Sequence, residues 1–221
     1  MFGQIIINSL SVGAIYGLTA IGFVMLIKSI DLVNFAQGDV VMVGAFLGLV
    51  FYGYLTFPYF ISLALTIIVT GFLGIVIERL LIRTLKKPTL MFMVTNCIAA
   101  SMFMRNGALL IFRADPIKVP SLFEDTPIII GPFRLIPVYL AVLFIVAFLM
   151  ILLHLFFRFH KYGIAMRAVM SNREACSLVG VKVDRVVSLT FAISAALGGA
   201  GGFLIGPITH AVFDMGVIGL K

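Results

Sequence analysis

The chain has 221 residues, of which 62% are apolar and 11% are charged. Soluble domains average about 45–50% apolar and about 25% charged residues, so these few charges could not cover a soluble surface. The net charge of +7 does not require a nucleic-acid partner, because basic residues collect in the cytoplasmic loops of membrane proteins. The composition predicts a polytopic membrane protein in contact with lipid. It excludes soluble enzymes, nucleic-acid-binding domains and disordered chains.

Long runs without charged residues place the expected membrane spans. A helical span needs about 20 residues, and continuous rather than alternating apolar runs favour helices over a β-barrel. The run from Val40 to Ile77 is too long for one crossing, so we divide it at the turn residues 52–58. We therefore predict an all-α fold, a single transmembrane domain over 1–221, with six spans: Ile5–Ile27, Asp39–Phe51, Tyr59–Ile77, Leu90–Phe112, Leu135–Phe157 and Val186–Ile208.

The distribution of basic residues indicates the orientation of these spans. Loops 78–88 and 158–185 hold ten of the 16 Lys and Arg residues, and two spans separate the loops. Both loops therefore lie on one side, which the positive-inside rule assigns to the cytoplasm. Loop 113–134, with balanced charges, is expected to be external, as is the N-terminus. The connection 28–38 is then cytoplasmic or re-entrant.

Glycines recur at four-residue spacing inside three of the spans. Small residues at this spacing let helix backbones approach closely in lipid. The spacing predicts helix packing, either within one bundle or against another subunit. The glycines are Gly13 and Gly17 in the first span, Gly44 and Gly48 in the second, and Gly198, Gly202 and Gly206 in the sixth.

A short polar segment, residues 31–39, separates the first two apolar runs. One interpretation is an ordinary loop in which Asp39 starts the second span, since the N-terminal end of a helix dipole favours a carboxylate. The other is non-helical backbone at membrane depth that lines a pathway. Such backbone, and charge inside a membrane, are tolerated only beside water or protein and mark conduction routes.

The loop between the fifth and sixth spans has the pattern of a short amphipathic helix. Ser171 and Glu174 match a capping box, and Gly180 is placed to end the helix. A helix of about two turns is marginal alone, so its apolar stripe must pack against the membrane surface, the protein's own bundle or a soluble cytoplasmic partner. The stripe consists of Ala175, Leu178 and Val179.

Two segments resemble the permeases of branched-chain amino acid ABC importers. They are residues 34–39, read Asn-Phe-Ala-Gln-Gly-Asp, and the cytoplasmic loop with its continuation, 167–191. Residues 77–79 and 119–123 also match, and the matches follow the expected order over essentially the whole chain. Family members commonly have Glu where this chain has Asp39. The chain is most similar to the smaller of the two permeases in that importer, and urea importer permeases are close relatives.

The resemblance implies the fold of an importer membrane subunit and a set of partners. These are a cytoplasmic ATPase that receives the loop helix of 158–185, a second homologous permease and an external solute-binding protein. The implied ATPase-coupling residues are Arg167, Asn172, Glu174, Ala175, Leu178, Gly180 and Asp184, and the implied pathway residues are Asn34, Gln37 and Asp39. Family members usually continue beyond the equivalent of Lys221, so we expect this chain to lack C-terminal helices that are usual in the family.

No motif indicates other chemistry. The sequence has no phosphate-binding loop, zinc-protease motif or nucleophile elbow, so we expect no cofactor, no metal, no catalytic residue and no enzyme activity. We expect the chain to move branched-chain or related amino acids across a prokaryotic inner membrane, driven by the partner ATPase. The alternatives are a urea or amide ABC permease and an autonomous secondary transporter or channel. The loop helix favours the ABC permease, because a secondary transporter has no need of it.

Overall fold

The structure, a computed structural model, describes residues 2–30, 33–80, 90–113, 115–122, 128–130 and 133–218. These residues form helices and one short antiparallel hairpin, β1 (Ile128–Ile130) with β2 (Phe133–Leu135). Asp31, Leu32 and most of the predicted basic loop 78–88 lie outside the described residues. The helices are α1 (Phe2–Ile30), α2 (Gln37–Gly48), α3 (Tyr59–Glu78), α4 (Leu90–Phe112), α5 (Pro137–Phe159), α6 (Lys161–Ser171), α7 (Arg173–Leu178), α8 (Val183–Thr209) and α9 (Met215–Ile218).

In the described ranges, six helices are long and apolar enough to cross a membrane, which confirms the predicted all-α polytopic fold. The bounds of α4 match the predicted fourth span. The second span is longer than predicted, because a π-helix, Leu49–Tyr54, continues α2 to Tyr54. α3 begins directly after Pro58, whose ring fixes φ and removes a backbone donor, so the chain turns between the second and third spans.

α8 is the central helix of the bundle and packs against α1, α2 and α3. Every residue from Leu197 to Gly206 is buried. Four of these residues lie in the run Gly198-Gly199-Ala200-Gly201, and their lack of large side chains allows neighbouring backbones to come close on several sides. α5 packs mainly on α1, and α4 lies beside α2.

The predicted glycine pairs of α2 and α8 lie where the two backbones touch. A Cβ added to Gly202 would collide with the carbonyl oxygen of Val41, and one added to Gly44 would collide with the backbone of Gly199. The remaining three predicted glycines of these helices face side chains at close range, so their small size also sets the packing distance. Gly48 meets Phe203, Gly198 meets Gln37 and Gly206 meets Val119.

The glycine pair of α1 is different. Gly13 and Gly17 have no heavy atom within 4 Å of an added Cβ, and Gly13 is exposed. Beside them is an open hollow of about 480 Å³, lined by residues that include Asn8, Tyr16 and Tyr139. Within the described residues, this pair makes no close helix contact.

Candidate functional site

The chain re-enters the bundle after α1. The Gln37 side-chain amide donates a hydrogen bond to the carbonyl oxygen of Ser194 (3.0 Å), and the Ser194 hydroxyl donates to the carbonyl oxygen of Gly22 (2.6 Å). Gly22 lies about 12 Å along α1 from its end at Ile30, at 1.5 Å per residue, and Ser194 lies near the middle of α8. α2 therefore begins beside the middle of α8, and Gln37, Gly38 and Asp39 of its first turn are buried in the bundle.

Asn34 shapes the turn into α2. Its side-chain oxygen accepts a hydrogen bond from the Ala36 N–H (3.1 Å), and its backbone oxygen accepts one from the Gln37 N–H (3.2 Å). Asparagine stabilises turns in this way by bonding to backbone two residues ahead. Asn34 and Gln37 are both buried, 2% and 4% exposed. The Asn34 side-chain oxygen and the Gln37 side-chain nitrogen thus have hydrogen-bond partners inside the bundle, where an unpaired amide would be costly.

Asp39, in the first turn of α2, is 1% exposed and forms an ion pair with Arg105 of α4. Arg105 Nη2 lies 3.3 Å from Asp39 Oδ1, 3.5 Å from Oδ2 and 3.3 Å from the Ser101 hydroxyl. Charges inside a membrane persist when they are paired, and the N-terminal end of the α2 dipole also stabilises the carboxylate. A stacked pair of rings, Phe46 and Phe112, 4.4 Å apart, holds the same two helices together further along.

The pairing of Asp39 with Arg105 is a structural feature of this site that the sequence did not predict. Arg105 is a charged residue inside the otherwise charge-free run Leu90–Phe112, and such a residue needs a partner in lipid. The sequence offered no means of choosing that partner across the 66 positions that separate the two residues.

A second segment enters from the opposite end of the bundle, and it was not predicted. After α8, Ala211 and Ile117 exchange two backbone hydrogen bonds of 2.9 and 3.1 Å, which join this segment to the predicted external loop. The chain then returns as α9 to the start of α2. A Cβ added to Gly216 would lie 2.7 Å from Asp39 Oδ1, so two re-entering segments meet at the Asp39 carboxylate.

The Ile77-Glu78-Arg79 segment contributes a buried carboxylate at the end of α3. Glu78 is 2% exposed, and its Oε2 accepts a hydrogen bond from the Ser188 hydroxyl of α8 (3.0 Å). This contact joins the end of α3 to the first turns of α8. The motif therefore has a local role in fixing these two helices to each other.

The predicted loop helix is present as α7, but its start differs from the prediction. Ser171 is the last residue of α6, which was not predicted, so the assignment of Ser171 as the N-cap is wrong. The cap is Asn172, whose side-chain oxygen accepts a hydrogen bond from the Ala175 N–H (2.9 Å). Glu174 lies in the first turn, where the helix dipole favours a negative charge.

The predicted end of α7 at Gly180 is confirmed. Gly180 has φ +83°, a left-handed conformation that suits glycine. Its N–H bonds to the Ser177 carbonyl (3.2 Å), and the Val181 N–H bonds to the Cys176 carbonyl (3.1 Å). This is the Schellman arrangement, which satisfies the last carbonyls of a helix. α7 therefore has a built stop as well as a built start.

The apolar stripe of α7 is uncovered. Leu178 is 88% exposed, Val179 is 79% exposed, and Ala175 is also exposed. The buried side of α7 is instead Cys176, which packs in the core. Of the three expected covers, the described part of the protein's own bundle is thus excluded. The other candidate coupling residues are also exposed: Arg167, Asn172, Glu174, Gly180 and Asp184.

Comparison with known proteins identifies the family. A family model described as "Branched-chain amino acid transport system / permease component" matches residues 5–218. The high-affinity branched-chain amino acid transport system permease protein LivH of Salmonella typhimurium is 31% identical over 93% of this chain and 70% of LivH. LivH of Escherichia coli K12 is 30% identical over the same shares. The permease protein BraD of Pseudomonas aeruginosa is 29% identical over 97% of this chain and 73% of BraD.

No solved structure matches the chain. The family match covers nearly all of the sequence, and the six apolar helices agree with a multi-pass membrane protein. The relatives of this chain are transport permeases rather than enzymes. The chain therefore belongs to the family of branched-chain amino acid transport permeases.

Proposed function

We propose that the chain is the membrane-spanning permease subunit of an ATP-driven importer. It carries branched-chain or related amino acids across the prokaryotic inner membrane, with energy from a cytoplasmic ATPase. The family supports the transport role. The observation that carries the ATP-driven part is α7, a helix of six residues with a cap at each end and an uncovered apolar stripe.

A protein groove fits this stripe better than a membrane surface. An amphipathic helix that binds the negative cytoplasmic leaflet is rich in Lys and Arg on its polar face, whereas the exposed charges beside the stripe are mixed, with Glu174 and Asp184 among Arg173, Lys182 and Arg185. An apolar side chain as exposed as Leu178 gains about 1.5–3 kcal/mol when it is fully buried. These features favour a soluble partner that provides an apolar groove, as a cytoplasmic ATPase subunit would.

The structure supplies a packed route from α7 to the candidate pathway. Cys176 belongs to the same core cluster as Met166 of α6 and Val186 of α8. α8 in turn holds Gln37 through the Ser194 carbonyl. A displacement of α7 by a docked ATPase would therefore reach the start of α2 through α8, a single helix whose glycine-rich middle is closely packed.

The solute and the other partners follow from the family. The three relatives above are named for branched-chain amino acids, which favours these solutes over urea or amides. In this family a second homologous permease and an external solute-binding protein accompany the ATPase. The pathway assignment of Asn34, Gln37 and Asp39 is part of the proposal, and their burial beside the middle of α8 supports it.

A docking experiment tests the proposal. Leu178→Asp should abolish co-purification of the ATPase with the permease while membrane insertion is unchanged, because a charge replaces the most exposed apolar group of the stripe. Leu178→Ala should weaken binding by about 10- to 100-fold, the equivalent of the burial energy of leucine. Leu178→Met, which conserves volume, is the matched control and should bind normally. Undiminished co-purification with Leu178→Asp would show that α7 is not the docking element.

A further inference from the structure

Asp39 and Arg105 are set apart from the other charges of the spanning helices. Among the described residues, every other charged side chain in the six spans lies at or near the end of its helix, as Lys28, Glu78 and Arg158 do. Asp39 also lies near a helix start, but that start is buried beside the middle of α8, and Arg105 lies seven positions before the end of α4. Charges in the membrane interior face the bundle or a water-filled cavity and mark solute or ion routes.

The two partners of this pair are unequally exposed. The Asp39 side chain is 2% exposed, whereas the Arg105 side chain is 31% exposed. Asp39 is enclosed by the first turn of α2 and by Gly216. A solute that reaches this level of the bundle would therefore meet the guanidinium and not the carboxylate.

The guanidinium also has unused donors. To the described residues, Arg105 donates hydrogen bonds through Nη2 alone, to Asp39 and Ser101. Among the described residues, Nε is buried without an acceptor, and Nη1 makes no hydrogen bond either. In a bidentate ion pair, an arginine donates two parallel hydrogen bonds of about 2.7–2.9 Å to a carboxylate. Asp39 instead holds Arg105 by one nitrogen at 3.3 Å, which leaves Nη1 available to a second acceptor, whereas Nε has no accessible surface.

We propose that Arg105 binds the α-carboxylate of the transported amino acid, and that Asp39 is a positioning residue that holds the guanidinium at membrane depth. This inference rests on the proposed function, because it takes its solute from there. The planar fork of arginine matches a carboxylate. The negative charge of nearby Asp39 favours the ammonium group of the same solute. Because the solute is a zwitterion, it brings no net charge into the site.

The first test separates solute binding from simple charge compensation. The complete importer is reconstituted in lipid vesicles with the wild-type chain or with the double variant Asp39→Asn/Arg105→Gln. Removing both charges leaves no unpaired charge, so a merely structural pair should be replaceable. We expect the double variant to assemble and to hydrolyse ATP, with leucine uptake reduced about tenfold or more, as for a lost hydrogen bond to a charged group. Uptake at the wild-type rate would overturn the assignment.

A second measurement uses the wild-type importer and needs no variant to fold. Phenylglyoxal modifies arginine side chains, and peptide mass spectrometry reports the rate at each position. Excess leucine should slow modification of Arg105 severalfold, whereas leucinamide, which lacks the carboxylate, should not; Arg158 is the control position. Equal protection by both compounds, or by neither, would overturn the site. A wild-type importer that carries no leucine would reject the proposed function as well, whereas normal wild-type uptake without these effects rejects the Arg105 site alone.

Discussion

The substitution Gly202→Ala tests whether direct backbone contact between α2 and α8 holds the bundle together. The added methyl group would collide with the Val41 carbonyl oxygen and would lie 2.9 Å from the Ala45 nitrogen. Both are backbone atoms of α2 and cannot rotate away as a side chain could. The two helices would have to separate, and the neighbouring contact of Gly44 with Gly199 would be lost with them.

The expected cost follows from two opposing effects. Overpacking in a close-packed interior costs about 1–3 kcal/mol, occasionally more, and backbone contact places this site at the upper end. Alanine in a helix recovers about 1 kcal/mol relative to glycine. We expect a net loss of about 2 kcal/mol for Gly202→Ala. Gly13→Ala is the matched control, because no atom lies within 4 Å of its Cβ and only the favourable effect applies.

The measurement is thermal unfolding of the detergent-purified chain, followed by the folded fraction in size-exclusion chromatography. The midpoint should fall by several degrees for Gly202→Ala and should stay or rise for Gly13→Ala. Equal midpoints for Gly202→Ala and the wild type would refute the close backbone approach. An equally large fall in the midpoint for Gly13→Ala would refute the distinction between the α1 glycines and the α2 and α8 glycines.

Three further substitutions test the local structure of the two candidate sites. Asn172→Ala removes the α7 cap and should destabilise that helix by about 1 kcal/mol. ATPase co-purification should therefore weaken severalfold with Asn172→Ala and be retained with Asn172→Asp. Equal binding by both variants would contradict the cap assignment. Gly180→Ala places a side chain at φ +83°, which should cost about 1–2 kcal/mol. The 158–185 loop should then be cleaved faster in limited proteolysis. An unchanged cleavage rate would contradict the expected strain at Gly180. Gln37→Leu leaves the Ser194 carbonyl without its side-chain donor. The substitution should reduce stability by about 1–3 kcal/mol and so lower the unfolding midpoint. An unchanged midpoint would show that the Gln37–Ser194 hydrogen bond does not anchor α2.

The membrane spans were predictable because lipid imposes a simple rule on sequence. A helix that crosses the bilayer needs about 20 residues with few charges, and Leu90–Phe112 satisfies that rule within its observed bounds. The stop at Gly180 was predictable for a comparable reason, since the left-handed position after a helix favours glycine. In both cases a local physical requirement restricts the residues directly.

The parts that were missed depend on contacts between distant segments. The N-cap of α7 is Asn172 rather than Ser171 because α6 occupies Ser171, and either residue is a competent cap by itself. The depth of Asp39 depends on Arg105 and Gly216, which belong to other helices. Hydropathy reports whether a segment enters the membrane, but it does not report which side chains meet there.

The central place of α8 has a consequence for biosynthesis. The hydrogen bond from Ser194 to Gly22 joins residues 172 positions apart, so α1 enters the membrane long before its partner is made. Until α8 is inserted, the Gln37 amide has no Ser194 carbonyl to bind, and the small-residue faces of α2 and α3 remain open to lipid. Long-range contacts of this kind delay folding and leave exposed intermediates. The nascent chain thus lacks the contacts that fix α1 and the start of α2 until α8 is inserted.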